Sequence, residues 1–228
     1  MRGTFALVGS GEYLPPMNAV DHFLLERLDR PARVACLPTV AGTEGEDRIR
    51  YWSELGMNHF TLLGAQVESL RVIDRKSANN PELAERIRAC NFIYLSGGNP
   101  IYLLNTLQDS LVWTAIRGVV DEGGALVGCS AGAMVMGERI AFFPSSKEAF
   151  KFLPQVVVLP HFDEMPSAMV RIVKTFLSSG FTLLGVEGNT ALACSATEKV
   201  VVGSGGVTVW NRHIHRRFTN GEALPLFT

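Results

Sequence analysis

The sequence has no excess charge of one sign, no long apolar run and no closely spaced cysteine pair. Its 228 residues carry 21 Lys and Arg against 22 Asp and Glu, with aromatics at 9% and no basic run among them. That balance lacks the electrostatic footprint that a nucleic-acid backbone or an anionic membrane requires. No window approaches the roughly eighteen consecutive apolar residues of a membrane span. The opening MRGTFALVGSGE has only FALV as an apolar stretch and runs directly into Gly, Ser and Glu, so it reads as a first strand and not a cleaved leader. Cys36, Cys90, Cys129 and Cys194 are far apart, and no CxxC pair or nearby histidine completes a zinc site. Reduced core cysteines, a cytoplasmic location and no metal or organic cofactor are the expectations. The expected partner is a small peptide or amide substrate, with no nucleic acid and no membrane, and with a homodimer left open.

What is present is a 47% apolar chain, long enough to fill one sizeable core, so a single domain over 1–228 is expected. Short apolar runs alternate with amphipathic stretches: FALVG before NAVDHFLLERL, RVACLP before RIRYWSELGMNHFTLLG, QVESLRV before PELAERIRA, and FIYLSGG before a helical region through LVWTAIRGVVDEG. This is the α/β pattern of a three-layer fold, a mostly parallel sheet with helices on both faces. ALVG and VVVLP continue the strands around a less regular FFPSSKEAF. After Gly185 the pieces TALACSA, EKVVVG and GVTVWN read as antiparallel hairpins at the sheet's end.

In open α/β sheets, functional groups collect in the loops beyond the carboxyl ends of strands. There the chain carries Gly128-Cys129-Ser130-Ala131-Gly132, a GxSxG pattern between an apolar strand and a small-residue helix start. A sharp turn in that setting exposes the serine hydroxyl over the sheet, and Gly128 and Gly132 let the helix pack back on the strand. The Ala131 amide then points to where a tetrahedral intermediate becomes negative. An incidental serine at a tight junction is the plain alternative. Cys129 sits one residue before the apex, with its side chain expected in the packing.

A second glycine turn, LSGGNP, makes Gly98 a natural partner donor to Ala131. The GSGE turn at Gly9 to Glu12 lacks the third glycine and the ribose-binding acid of a dinucleotide fingerprint, so it does not imply NAD. Of five histidines, His161 follows the strand VVVLP at its carboxyl end, expected on the same edge of the sheet as Ser130, where it can act as the base. His22 and His59 fall in helical patterns and read as structural or solvent-facing. Two acids could orient the ring: Glu187, at the end of FTLLGVEGN on the next strand, is preferred over Asp163, two residues beyond the histidine.

The order Ser130, His161, acid differs from the serine, acid, histidine order of α/β-hydrolases. It is that of the class I glutamine-amidotransferase fold, whose enzymes carry cysteine at the nucleophile. The segments LSGGNPIYLL, GCSAGAM, LPHF and GVEGNTAL, in this order between about residues 90 and 195, resemble the serine peptidase family that includes dipeptidase E (aspartyl dipeptidase) and cyanophycinase. The resemblance implies a serine nucleophile at Ser130, a base at His161, an acid at Glu187, oxyanion donors near Gly98 and Ala131, and cleavage of amides beside aspartyl groups without metal or cofactor. Candidate substrate contacts are Asn99 and Tyr102 on the second glycine turn, and Arg171. Relatives place several arginines soon after the histidine. This chain has FDEMPSAMVR, with two acids before Arg171, and has Pro100 and Tyr102 where relatives carry Thr or Gln. A peptidase that is not strictly aspartyl-specific and prefers a neutral or basic group beside the cleaved bond, with Pro100 and Tyr102 lining an apolar entrance, is the expectation. An esterase or deacylase with the same triad, and a catalytically silent binding protein, are the alternatives.

Overall fold

A computed structural model describes residues 2–142, 145–176 and 180–225. The strands are Thr4–Val8 (β1), Arg33–Leu37 (β2), Gln66–Ser69 (β3), Phe92–Leu95 (β4), Ala125–Cys129 (β5), Arg139–Phe142 (β6), Ser145–Glu148 (β7), Val156–Leu159 (β8), Thr182–Val186 (β9), Thr190–Cys194 (β10), Lys199–Gly203 (β11), Gly206–Trp210 (β12) and His215–Thr219 (β13). The helices are Asn18–Leu25 (α1), Glu46–Leu62 (α2), Arg75–Ala78 (α3), Pro81–Arg88 (α4), Pro100–Leu107 (α5), Leu111–Asp121 (α6), Ala131–Met134 (α7) and Ser167–Phe176 (α8).

Helix starts follow local chemistry. Asn80 and Asn99 accept from the first amides of α4 and α5, each with proline at the first helical position, and Ser110 caps α6 through the Trp113 amide. No described helix is long and apolar enough to cross a membrane.

The main sheet has the order β11-β10-β1-β5-β4-β2-β3. β1, β5, β4, β2 and β3 pair in parallel, while β10 and β11 are antiparallel. Alternation along β1 explains the layers: Phe5 and Leu7 face the core under α4, α5 and α6, whereas Ala6 and Val8 face the core under α1 and α2. Ile87, Leu103 and Ile116 fill the first core, and Leu24, Phe60 and Tyr94 fill the second. Each such fully buried side chain contributes roughly 1.5–3 kcal/mol of hydrophobic stabilisation.

Three expectations change in detail. VVVLP does not continue the main sheet: β8 lies in a second, four-stranded sheet of order β13-β12-β9-β8, parallel to β9. The C-terminal strands divide between the two sheets, β10 and β11 in one and β12 and β13 in the other. The stretch around FFPSSKEAF contains the β6–β7 hairpin. Periodicity gives each strand its faces, but pairing is chosen by contacts distant in the sequence.

The sheets meet at the end of β1. Ser10 bridges Gly188, and the Asn189 amide donates to the Ser10 carbonyl at 3.1 Å. A Cβ on Gly9 would lie 2.0 Å from the Glu187 carbonyl, so only glycine permits this approach. On the far side of β5, the Glu138 amide donates to Val156 of β8 at 2.8 Å. These contacts carry the end of β8 to the end of β5.

Candidate active site

Ser130 stands between β5 and α7 at φ 50°, ψ −107°, a backbone conformation rare outside glycine. It is pinned on both sides. Its amide donates to Val8 at 3.0 Å, and its carbonyl accepts from Ala133 and Met134 at 3.0 Å each. The flanking glycines are required sterically: a Cβ on Gly128 would lie 2.3 Å from the Gly132 carbonyl, and one on Gly132 2.5 Å from the Leu95 carbonyl. The surrounding structure thus holds a strained turn that leaves the hydroxyl facing a cavity of about 360 Å³.

His161 reaches that hydroxyl from the second sheet. It also has positive φ, 52°, in a turn closed by the Glu164 amide donating to its carbonyl. The next residue is anchored to β9, with the Phe162 amide donating to Val186 at 3.1 Å and its ring lying over Gly185. His161 Nε2 lies 3.1 Å from Ser130 Oγ, the separation at which an imidazole can accept a hydroxyl proton.

The two candidate acids are placed elsewhere. Glu187 follows β9, next to β8, but its carboxylate is taken by Arg217 of β13, Nε to Oε1 and Nη2 to Oε2 at 2.6 Å each, and by the Gly206 amide at 2.8 Å. Arg217 holds this carboxyl below its ordinary range, ahead of the opposing effect of burial. Asp163 accepts from the Gly188 amide at 2.9 Å. The carboxylate nearest His161 Nδ1 is Glu164, at 3.7 Å, on a side chain 71% exposed. The sequence pattern revealed the neighbouring strand, but could not reveal an arginine arriving from thirty residues later.

Glu187→Gln is accordingly expected to lower kcat by less than about tenfold, against the roughly 10⁴-fold loss that follows removal of a ring-orienting acid. Its main effect should be on stability. Because the folded carboxyl titrates low, the Arg217 pair stabilises the fold at neutral pH and loses that contribution as acid is added through the lowered value. Urea unfolding of wild type and variant at neutral and acid pH, beside steady-state kinetics, checks both parts. A 10⁴-fold loss in kcat would return Glu187 to the ring.

Of the two amides expected to face an oxyanion, only one belongs to a residue that lines the cavity. Ala131 opens α7 beside Ser130, and Gly98 lines the same cavity at φ 133°, where an added Cβ would lie 2.3 Å from Val40 Cγ1. Among the described residues neither amide donates to another protein group. Cys129 is 1% exposed, and burial pushes its thiol well above the usual range, so it is packed and not presented for attack.

The candidate substrate contacts fare differently. Asn99 Oδ1 is committed to the Ile101 and Tyr102 amides as the cap of α5, and Tyr102 donates its hydroxyl to the Ile73 carbonyl at 2.6 Å. Arg171 lies exposed on α8. Neither these three nor Pro100 lines the cavity; its apolar wall is Leu14, Tyr51, Trp52 and Leu55, from α2 and the loop after β1. Arg48 and Glu44 also line it, paired at 3.1 Å.

Glu12, which sequence reasoning passed over, also lines the cavity, next to Ser10 and Gly11. It is 7% exposed, and its two carboxylate oxygens accept from the Gly97 amide at 3.0 Å each. Burial pushes its carboxyl up to about 7, against the pull of the Cys129 thiol and the Gly97 amide. The available signal was an acid in the turn after the first strand, at the edge where α/β folds place their functional groups. His59, read as structural or solvent-facing, is buried behind this region with its Nε2 2.8 Å from Asp21. Among the described residues no cluster of three or more His, Cys, Asp or Glu is placed to hold a metal ion.

The model of peptidase family S51 matches residues 5–202. A crystal structure of a peptidase from an acI-B1 Actinobacterium superposes with a TM-score of 0.91 at 34% identity, covering 99% of this chain and 98% of that one. A peptidase E protein from Listeria monocytogenes, at TM-score 0.67 and 21% identity over 90% of this chain and all of its own, shares the fold. The cyanophycinase of Trichormus variabilis is 29% identical over 168 residues, 66% of this chain and 55% of its own length. The chain thus spans about half the length of the cyanophycinases it matches.

Proposed function

Because the chain belongs to peptidase family S51, we propose that it is a serine peptidase or amidohydrolase that cleaves a short peptide through an acyl-enzyme on Ser130. The observation that carries this reading is the 3.1 Å approach of His161 Nε2 to a serine hydroxyl held at a strained turn over an open cavity. His161 takes the serine proton as Oγ attacks the carbonyl and returns it to the leaving amine. The Gly98 and Ala131 amides stabilise the oxyanion, an arrangement in which removing one donor typically costs about 10²–10³ in kcat. Water then repeats the sequence on the acyl-enzyme.

The cavity favours an apolar residue beside the cleaved bond. Its wall is aliphatic and aromatic, Arg48 is already paired with Glu44, and Arg171 stands outside on α8. A buried aspartyl side chain would lack the cation it needs. Amine release from Leu-Leu, Lys-Leu and Asp-Leu tests the reading: Leu-Leu should exceed Asp-Leu in kcat/KM by at least about tenfold, or roughly 1.4 kcal/mol of transition-state binding. An aspartyl preference of that size would defeat the proposed specificity, and turnover confined to esters would turn the assignment to an esterase.

A further inference from the structure

Glu12 is a carboxylate in an unusual position. It is nine-tenths buried, it lines the cavity that holds Ser130 and His161, and it has no cationic partner among the described residues. Its protein contacts are the Gly97 amide and the Cys129 thiol. The point that a Cβ on Gly97 would occupy lies 3.2 Å from Glu12 Oε2 and 3.0 Å from Ser130 Cβ, so carboxylate and nucleophile flank the same backbone atom.

The groups packed around Glu12 supply no positive charge. Tyr13, Tyr94, Cys36 and Cys129 are acids whose ionisation is opposed first by burial, and Asp21 behind them meets His59. Across the cavity stand His161, Glu44 and Arg48, the last two paired. A desolvated carboxylate is costly unless a cation or further donors reach it. The open side of the cavity is where such a group can arrive.

A peptide substrate brings such a group close to the attacked carbon. The carbonyl carbon under attack must sit at Ser130 Oγ, and in an amino-terminal residue the α-nitrogen is two bonds away, about 2.5 Å from that carbon. A lysine or arginine side chain carries its charge several bonds farther out. A blocked terminus or an internal peptide bond puts a neutral amide at the same point, leaving the carboxylate uncompensated.

We propose that Glu12 binds the free α-ammonium group of the substrate and thereby restricts the enzyme to the first peptide bond of a short peptide. The inference rests on the serine-peptidase reading, and its test separates the two. Ser130 is labelled with a fluorophosphonate in the presence of leucinamide or N-acetylleucinamide, and kcat/KM is measured for Leu-Leu and acetyl-Leu-Leu. In the wild type, leucinamide should slow labelling where its acetylated form does not, and Leu-Leu should be cleaved at least about 30-fold better than the blocked peptide. In Glu12→Gln the two peptides should come within about threefold, mainly through a higher KM for Leu-Leu. This ratio is taken within one preparation, so loss of folded enzyme cancels.

The wild-type ratio should also be bell-shaped in pH, falling below about 7 as Glu12 protonates and above about 8 as the peptide amine loses its charge. That profile decides the matter if Glu12→Gln does not fold. Absence of labelling at Ser130 would overturn the serine-peptidase reading itself. Labelling that both amides slow equally, or a Glu12→Gln enzyme that keeps the preference for the free amine, would overturn the role of Glu12 alone.

Discussion

Replacing Ser130 with alanine is expected to remove at least about 10⁴-fold of kcat, in line with nucleophile loss in other triads, and to abolish fluorophosphonate labelling. The fold should survive. Among the described residues the hydroxyl's hydrogen-bond partner is His161 Nε2, while the backbone bonds that define the turn, to Val8, Ala133 and Met134, remain in the variant. Circular dichroism and a urea unfolding curve verify the fold, and mass spectrometry of the labelled wild type locates the adduct. An adduct on Cys129, or labelling that persists without the Ser130 hydroxyl, would refute the nucleophile assignment. The burial of that thiol makes such an adduct the unexpected result.

His161→Gln should lower kcat by roughly 10³–10⁴-fold, because glutamine can occupy the hydrogen bond but cannot take the serine proton. The double variant with Ser130→Ala should be no slower than the serine variant alone. Residues that act as one unit do not add, and what remains comes from the Gly98 and Ala131 amides and from binding. Kinetics of the two single variants and the double variant, measured on Leu-Leu, form the cycle. A loss below tenfold in His161→Gln would mean that another group takes the proton, with Glu12 the first candidate across the cavity. A further large loss in the double variant would mean that serine and histidine act separately.

The two acids show where sequence reasoning reaches its limit. Glu187 follows β9, the strand paired with β8, so its backbone lies near the end of the strand that His161 follows. The fate of its carboxylate depends on Arg217, whose strand enters the same sheet from the chain's end. Tyr102 is a similar case. On its helix it is one turn from the glycine loop, yet its hydroxyl is drawn to Ile73, in a segment 29 residues away.

The sequence by itself determined the alternating β/α order and the elbow at Ser130. These depend on the alternation of apolar runs with amphipathic stretches and on glycine's freedom from a Cβ, both local properties. Tertiary structure alone decided that β8 and β9 leave the main sheet, that His161 crosses from the second sheet to meet Ser130, and that Glu12 is buried beside them. Each of those outcomes depends on contacts between segments tens of residues or more apart, such as Ser10 with Gly188 and Glu12 with Gly97. Hydrophobic burial and backbone pairing select such contacts for the molecule as a whole, and they leave no periodic trace in either segment.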